Sequence, residues 1–417
     1  MLYYLFEYLK EIFGDFPGSG LLQFLSFRAG MAISLALIIS VIWGNKIISS
    51  LKSLQIGESV RDLGLAGQNE KSGTPTMGGL IIILAVVIPV LLFSKLDSIY
   101  IRVLLLSIIW MGFIGAIDDW IKVSKNNKSG LHGKFKILGQ VVLGLLVGGV
   151  MVWDSEVTVR IDYDKAVEEN YAIQDSYKGT LSDGTTKHYA YVRTGLTNVP
   201  FIKTSNFNYR DLVFFSDQKD KWYWVFYIPF VIFLISAVSN AANLTDGLDG
   251  LASGVSAIIV GALVVFAYLS SNSQFSDYLN ILFLPESQEL VIFSASLVGS
   301  CVGFLWYNSY PAKVFMGDTG SLALGGVIAT LMIMLRKEFL IPILCGIFLI
   351  ENLSVVLQVS YFKYTKRKYG EGRRIFRMSP IHHHFQKMGI HEAKIVTRFW
   401  IVGVLLAIAA IITLKVR

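Results

Sequence analysis

Ten long apolar stretches constrain this chain more than anything else in it. They lie at 22–45, 77–95, 98–117, 137–153, 223–243, 251–271, 288–307, 319–335, 338–362 and 395–414. A helix needs about 20 apolar residues to cross the hydrocarbon of a bilayer. Inside it each backbone polar group must find its partner within the segment, which favours helices for runs of this kind. Of the 417 residues, 53% are hydrophobic and only 16% charged, which excludes an ordinary water-soluble domain. The expectation is an all-α polytopic membrane protein with about ten transmembrane helices.

An even number of crossings puts both termini on one side, and the Lys/Arg bias says which. The loop 363–394 carries nine Lys and Arg residues, from Lys363 to Lys394, and 119–136 carries Lys122, Lys125, Lys128, Lys134 and Lys136, whereas 272–287 carries none. Loops 46–76, 119–136, 244–250, 308–318 and 363–394 are therefore expected in the cytoplasm and the termini outside. The net charge of +7 then reflects this bias and an anionic ligand. No RNP-like or helix-turn-helix pattern points to nucleic acid. The first 20 residues mix Glu7, Lys10, Glu11 and Asp15 with aromatics, the pattern of an interfacial amphipathic helix and not of a cleavable signal. Cys301 and Cys345 fall inside apolar runs and read as small core residues.

Residues 154–221 break the pattern. Alternation at Val157–Val159–Ile161 and Tyr189–Tyr191, with a turn at Ser182-Asp183-Gly184, predicts strands. The chain thus divides into 1–153 with four spans, a β-rich outer-side insert at 154–221, and 222–417 with six spans.

Five aspartates sit where apolar runs end on the expected cytoplasmic face: Asp118 and Asp119 in DDWIK, Asp246 and Asp249 in NLTDGLDG, and Asp318 in MGDTGS. Such carboxylates are costly near lipid without a role or partner. Gathered together they suit a hard cation and phosphate chemistry. Adjacent Asp118 and Asp119 can divide roles, one ionised and one acting as base or nucleophile; Lys122 lies one turn beyond, and basic residues continue to Lys136. In the next loop Asn240, Asn243, Asp246 and Asp249 offer oxygens and amides, and Gly247 and Gly250 allow positive φ or close approach of a ligand. The competing reading is a polar turn with capping residues. Asn308 and Phe315 precede Gly317, Asp318, Gly320 and Ser321, whose N–H groups at a helix start suit an anion or Mg²⁺–phosphate, while Asp318 or Ser321 as a simple N-cap is the plainer alternative. The side chains of consecutive His382, His383 and His384 diverge, which argues against zinc and for contacts with phosphate or sugar. Lys71 and Thr76 lie in a polar stretch before the second span, and Glu351 is an isolated acid within the ninth, read as structural.

TPTMGG, DDWIK, NLTDGLDGLA, YNSYPAKVFMGDTGS and SPIHHHFQKMG, in this order, resemble the polyprenyl-phosphate N-acetylhexosamine 1-phosphate transferases. The SPIHHHF loop is similar to the phospho-MurNAc-pentapeptide transferase branch, and the resemblance covers nearly everything outside 154–221. It implies transfer of the phospho-sugar from UDP-MurNAc-pentapeptide to undecaprenyl phosphate with Mg²⁺, giving lipid I and UMP for peptidoglycan, in a bacterial inner membrane. It also implies a homodimer. By resemblance Asp118 deprotonates the lipid phosphate with Asp119 beside it, and Asp318 binds Mg²⁺. His382 and His383 belong to the catalytic histidine loop with His384. Asn240, Asp246, Gly247, Leu248, Asp249, Asn308 and Phe315 surround the nucleotide. Lys71, Thr76, Lys122 and Lys134 fall near the phosphates, with Lys136 as a second candidate. Two departures stand out: Asn126 where the family often has Lys, and an insert of about 68 residues where a hairpin is usual. Asp118→Asn, Asp119→Asn and Asp318→Asn are each expected to abolish turnover and leave the fold intact. The alternatives are a UDP-GlcNAc-using relative and an ion-coupled secondary transporter, the latter disfavoured because acids gather at one face and no repeated halves are visible.

Overall fold

The computed structural model describes residues 1–14, 18, 20–54, 73–124, 130–180, 186–201 and 206–415. Lys71, the Lys125–Asn126–Lys128 stretch and the Ser182–Gly184 turn lie outside them. The helices are α1 (Leu2–Phe13), α2 (Leu25–Ser53), α3 (Gly79–Phe93), α4 (Ile99–Ser124) and α5 (Gly133–Trp153), then α6 (Tyr163–Glu168) and α7 (Lys219–Trp222) in the insert. They continue with α8 (Trp224–Thr245), α9 (Leu251–Ser271), α10 (Ser273–Leu279), α11 (Gln288–Asn308) and α12 (Gly317–Met334). The last are α13 (Ile341–Leu344), α14 (Gly346–Tyr369), α15 (Ile381–Lys387) and α16 (Glu392–Ile412). Among the described residues eight helices are long and apolar enough to cross a membrane. The protein is a polytopic membrane protein.

Two of the ten expected spans differ from straight crossings. The second is α3, only 15 residues, or about 22 Å at 1.5 Å per residue. The ninth is broken: Glu338–Leu344 and Gly346–Tyr369 meet at 78°. Pro342 lies in the first piece and Gly346 opens the second, the two residue types least suited to an unbroken helix. α12 is the helix at the centre of the bundle. All its residues from Thr319 to Met334 are buried, so it has no polar face, as a helix surrounded on every side requires. The N-terminal α1 buries none of its residues, as an interfacial helix should.

The two ends of the bundle differ in chemistry. One carries all five aspartates. The other carries both termini: the Met1 amino group donates to Leu91 O at 2.6 Å near the far end of α3, and Lys415 Nζ donates to Tyr278 O at 2.8 Å in α10. The insert is at this second end. Its strands are β1 (Val159–Asp162), β2 (Ile173–Thr180), β3 (Thr186–Val192), β4 (Leu196–Asn198) and β5 (Asn206–Asn208). The first three form an antiparallel sheet in the order β1-β3-β2, and β4 pairs with β5. Val159 sits opposite Val192 and Ile161 opposite Ala190 on one face, while Tyr189 and Tyr191, opposite Asp162 and Arg160, line the other.

The insert is fastened to the bundle at several points. Thr197 Oγ1 and Asn198 N both donate to Arg336 O, at 3.0 and 3.1 Å. Lys337 Nζ donates to Asn198 Oδ1, and the Tyr209 hydroxyl to Glu338 Oε1 at 3.1 Å. Arg160 pairs with Asp277 at 2.5 Å, its guanidinium 4.4 Å from the ring centres of both Tyr189 and Phe283. Burial lowers the Lys337 ammonium to about 7, against an opposing pull from Glu338.

Candidate active site

α4 ends in Asp118 and Asp119, which as neighbours on a helix point about 100° apart. Asp119 turns toward the start of α12. That start has no side-chain cap of its own, and its first N–H groups need acceptors. Asp119 supplies them: Asp318 N donates to Oδ1 at 3.1 Å, and Thr319 N and Oγ1 donate to Oδ2 at 2.9 and 2.7 Å. Neither Asp318 nor Ser321 caps α12; a carboxylate from another helix does. The Ser321 hydroxyl instead donates to Gly317 O at 3.0 Å and accepts from Asn243 Nδ2 at 2.9 Å.

Asp118 turns toward the loop after α4 and toward α5. Its Oδ1 accepts from Leu131 N at 2.7 Å. Lys122 and Lys136 then bridge Asp118 to Asp318. Lys122 Nζ lies 2.5 Å from Asp118 Oδ2 and 3.1 Å from Asp318 Oδ1; Lys136 Nζ lies 2.9 Å from Asp118 Oδ1 and 2.5 Å from Asp318 Oδ2. Asp118 and Asp119 are buried, at 0% and 2% exposure, while the Asp318 side chain retains 13% and that of Lys122 33%. The cluster is therefore open on the Asp318–Lys122 side.

Backbone contact brings these groups together. A Cβ on Gly115 of α4 would lie 2.1 Å from Asp318 O, and one on Gly79 would lie 2.1 Å from Gly320 N. Residues 75–79 also zip against 315–316: Phe315 N donates to Pro75 O, Gly78 N to Phe315 O and Gly79 N to Met316 O, at 2.8, 2.8 and 2.9 Å. This seats the buried Thr76 hydroxyl beside Gly317 and Asp119.

Ligand atoms of Asp118, Asp119 and Asp318 lie within 4.8 Å of one another. Three hard oxygen donors, open to solvent on the Asp318 side, fit a divalent cation such as Mg²⁺ better than a softer ion. Three carboxylates against two ammoniums leave the cluster one negative charge, which also favours a cation.

Lys136, not Lys134, reaches the carboxylates; Lys134 stands exposed two positions away on another face of α5. Asn240 donates to Gln140 Oε1 at 3.0 Å, away from the acids. Asn308 is buried and committed to bracing: its Oδ1 accepts from Gly250 N at 3.1 Å and Ser253 Oγ at 3.0 Å, and its Nδ2 donates to Val314 O at 3.0 Å. Asp249 Oδ2 accepts from Ala312 N at 3.0 Å, and its own N–H donates to Glu392 Oε1 at 2.7 Å. Leu248 is buried and Asp246 half-buried. Gly250 has φ +79°; Gly247 does not need a positive φ, and what requires glycine there is the His382 ring. His382 is fully buried, while His383 and His384 are half-buried, with Nδ1 2.7 Å from Gln386 Oε1 and accepting from Arg377 N at 3.1 Å. The Thr319 hydroxyl and Glu351, which the sequence offers only as a generic helix-start group and an isolated structural acid, are committed to Asp119 and His382.

A multi-helix membrane bundle with a carboxylate–lysine cluster at one end has the groups that phosphate chemistry at a membrane surface needs. Residues 186–336 match the model of Glycosyl transferase family 4, and residues 71–83 match phospho-N-acetylmuramoyl-pentapeptide-transferase signature 1. The chain is similar to proteins named phospho-N-acetylmuramoyl-pentapeptide-transferase from Flavobacterium psychrophilum (56% identical), Flavobacterium johnsoniae (54%) and Parabacteroides distasonis (52%), each alignment covering 100% of both chains. The chain belongs to the phospho-N-acetylmuramoyl-pentapeptide-transferase family, and is a phosphotransferase of the membrane.

Proposed function

We propose that this enzyme moves phospho-MurNAc-pentapeptide from UDP-MurNAc-pentapeptide to undecaprenyl phosphate, releasing UMP and forming lipid I at the cytoplasmic face of a bacterial inner membrane. The observation that carries this reading is the Asp118–Asp119–Asp318 cluster bridged by Lys122 and Lys136 at one end of the bundle. The basic loop 363–394 joins α14 to α16 at this same end, which supports placing it in the cytoplasm and the insert and termini outside.

The chain's own residues do the following. Lys122 and Lys136, drawn from their carboxylates when substrate arrives, hold phosphate oxygens and offset the charge that builds on them. Asp118 accepts the proton of the lipid phosphate. The freed phosphate oxygen attacks the phosphorus next to the sugar; one P–O bond forms there and the bond to UMP breaks. Asp119 holds the start of α12, and with it Asp318, at fixed distance from Asp118. Asp118, Asp119 and Asp318 would hold Mg²⁺, which when bound withdraws charge from the pyrophosphate and eases departure of UMP.

The test is UMP release by the detergent-purified protein from UDP-MurNAc-pentapeptide plus undecaprenyl phosphate, with UDP-GlcNAc as comparison donor and EDTA as control. Release from the muramyl donor, lost in EDTA and restored by Mg²⁺, supports the reading. Release from UDP-GlcNAc alone moves the protein to the sister branch. No release from either by folded protein sinks it.

A further inference from the structure

Glu351 sits in α14, on the bent ninth span, with 0% of its surface exposed. An acid there is expensive unless something holds it. Its Oε2 lies 3.0 Å from His382 Nδ1, and His382 is likewise 0% exposed. The other ring nitrogen, Nε2, has no hydrogen-bond partner and faces Gly247 so closely that a Cβ there would lie 2.2 Å from it. One imidazole therefore spans the gap between the bent helix and the 246–250 loop. From other directions Glu392 holds that loop at Asp249 N and Asn308 holds it at Gly250 N. Gly247 itself rests on the ring.

We propose that Glu351 is a positioning residue for the donor nucleotide: through His382 it sets the height of Gly247, and so the pose of Asp246 in the loop that receives UDP-MurNAc-pentapeptide. A carboxylate at Nδ1 fixes both the orientation of the ring and which nitrogen carries hydrogen. Without it the ring is free to turn about χ2, and the support under Gly247 goes. The inference rests on the reading that this loop binds the nucleotide. It makes a claim a purely structural buried pair would not: loss of Glu351 is felt in donor binding and not in acceptor binding.

The test uses full-length protein in detergent. Glu351→Gln keeps the shape and one acceptor; Gly247→Ala pushes on the same ring from the opposite side. KM for UDP-MurNAc-pentapeptide, KM for undecaprenyl phosphate and kcat are measured separately, with UMP affinity by calorimetry as a readout that needs no turnover. Glu351→Gln is expected to raise the donor KM and weaken UMP binding about tenfold, with acceptor KM and kcat within about twofold. Glu351→Gln/His382→Asn is expected to be no worse for the donor than His382→Asn alone, because both break one chain of contacts. Equal changes in both KM values, multiplying effects in the double variant, or unchanged UMP affinity would overturn the proposal. If Glu351→Gln does not fold, Glu351→Asp, which keeps the charge but shortens its reach to His382, decides by the same donor-to-acceptor comparison. A wild-type enzyme that binds neither UMP nor the donor refutes the reading of the site; a wild type that binds both, with variants that match it, refutes only the brace.

Discussion

Asp118→Asn and Asp119→Asn make an internally controlled pair. Each takes the cluster from three carboxylates against two ammoniums to two against two, so the overall charge effect is matched. The hydrogen bonding is not. Asp119 accepts from Asp318 N, Thr319 N and Thr319 Oγ1, all at the otherwise uncapped start of α12. An Asn keeps one oxygen for these donors and presents an amide N–H₂ to the rest. Hydrogen bonds to a charged partner contribute about 1.5–3 kcal/mol each, and a charge at a helix start adds to this. Losing one such bond and setting donor against donor should cost about 2–4 kcal/mol. Asp118 accepts one backbone N–H, from Leu131, which an Asn oxygen can retain, and the Lys122 and Lys136 ammoniums that also pair with it keep Asp318 as a partner and reach water when its charge is lost. At about 2 °C per kcal/mol for a large chain, Asp119→Asn should unfold about 4–8 °C below the wild type in detergent, and Asp118→Asn within about 2 °C of it. Intrinsic-fluorescence melting curves measure this, while UMP release should be lost in both. Equal melting temperatures for the two variants would refute the capping argument. Substitution at Asp119 is thus not expected to leave the fold untouched, as the sequence alone had implied.

Thr319→Val removes only the hydroxyl donor and should cost about 1 kcal/mol, placing its melting temperature between the wild type and Asp119→Asn. Gly115→Ala puts a methyl 2.1 Å from Asp318 O; because backbone cannot step aside, the variant should lose at least about 3 kcal/mol and most turnover, and a near-normal melting curve would count against the close contact. Lys337 carries a pH signature. Its folded value of about 7 lies below the ordinary 10.5, so between these limits the unfolded chain holds a proton that the folded chain has shed, and stability should rise with pH by up to about 1.4 kcal/mol per unit. Melting curves from pH 7 to 9 should show this rise, and Lys337→Met should flatten it.

The polar motifs were legible because a carboxylate beside lipid has few innocent explanations, and Asp118, Asp119 and Asp318 do converge. What a motif could not say is which atom faces which. Lys134 and Lys136 are both basic and two residues apart, but a helix turns about 200° between them, so only one can reach Asp318. Asp119 as a cap for α12 joins residues 200 positions apart, and the Glu351–His382 contact joins residues 31 positions apart, from α14 to α15. In the insert, Val159, Ile161, Tyr189 and Tyr191 were readable as strand from their alternation, and the structure places them in β1 and β3. Strand β2, IQDSYKGT, alternates too little to be seen, because only its pairing with β3 makes it a strand.

The glycine contacts between helices have a consequence for how the site can change. Where Gly115 meets Asp318 O and Gly79 meets Gly320 N, main chain bears directly on main chain. Such a joint has no side chain to trim or lengthen, so it offers no adjustable clearance. A compound directed at this end of the enzyme therefore meets a die of fixed dimensions around Asp118 and Asp318. Resistance arising by small shifts in helix spacing is closed off there, and escape has to come from the surrounding loops.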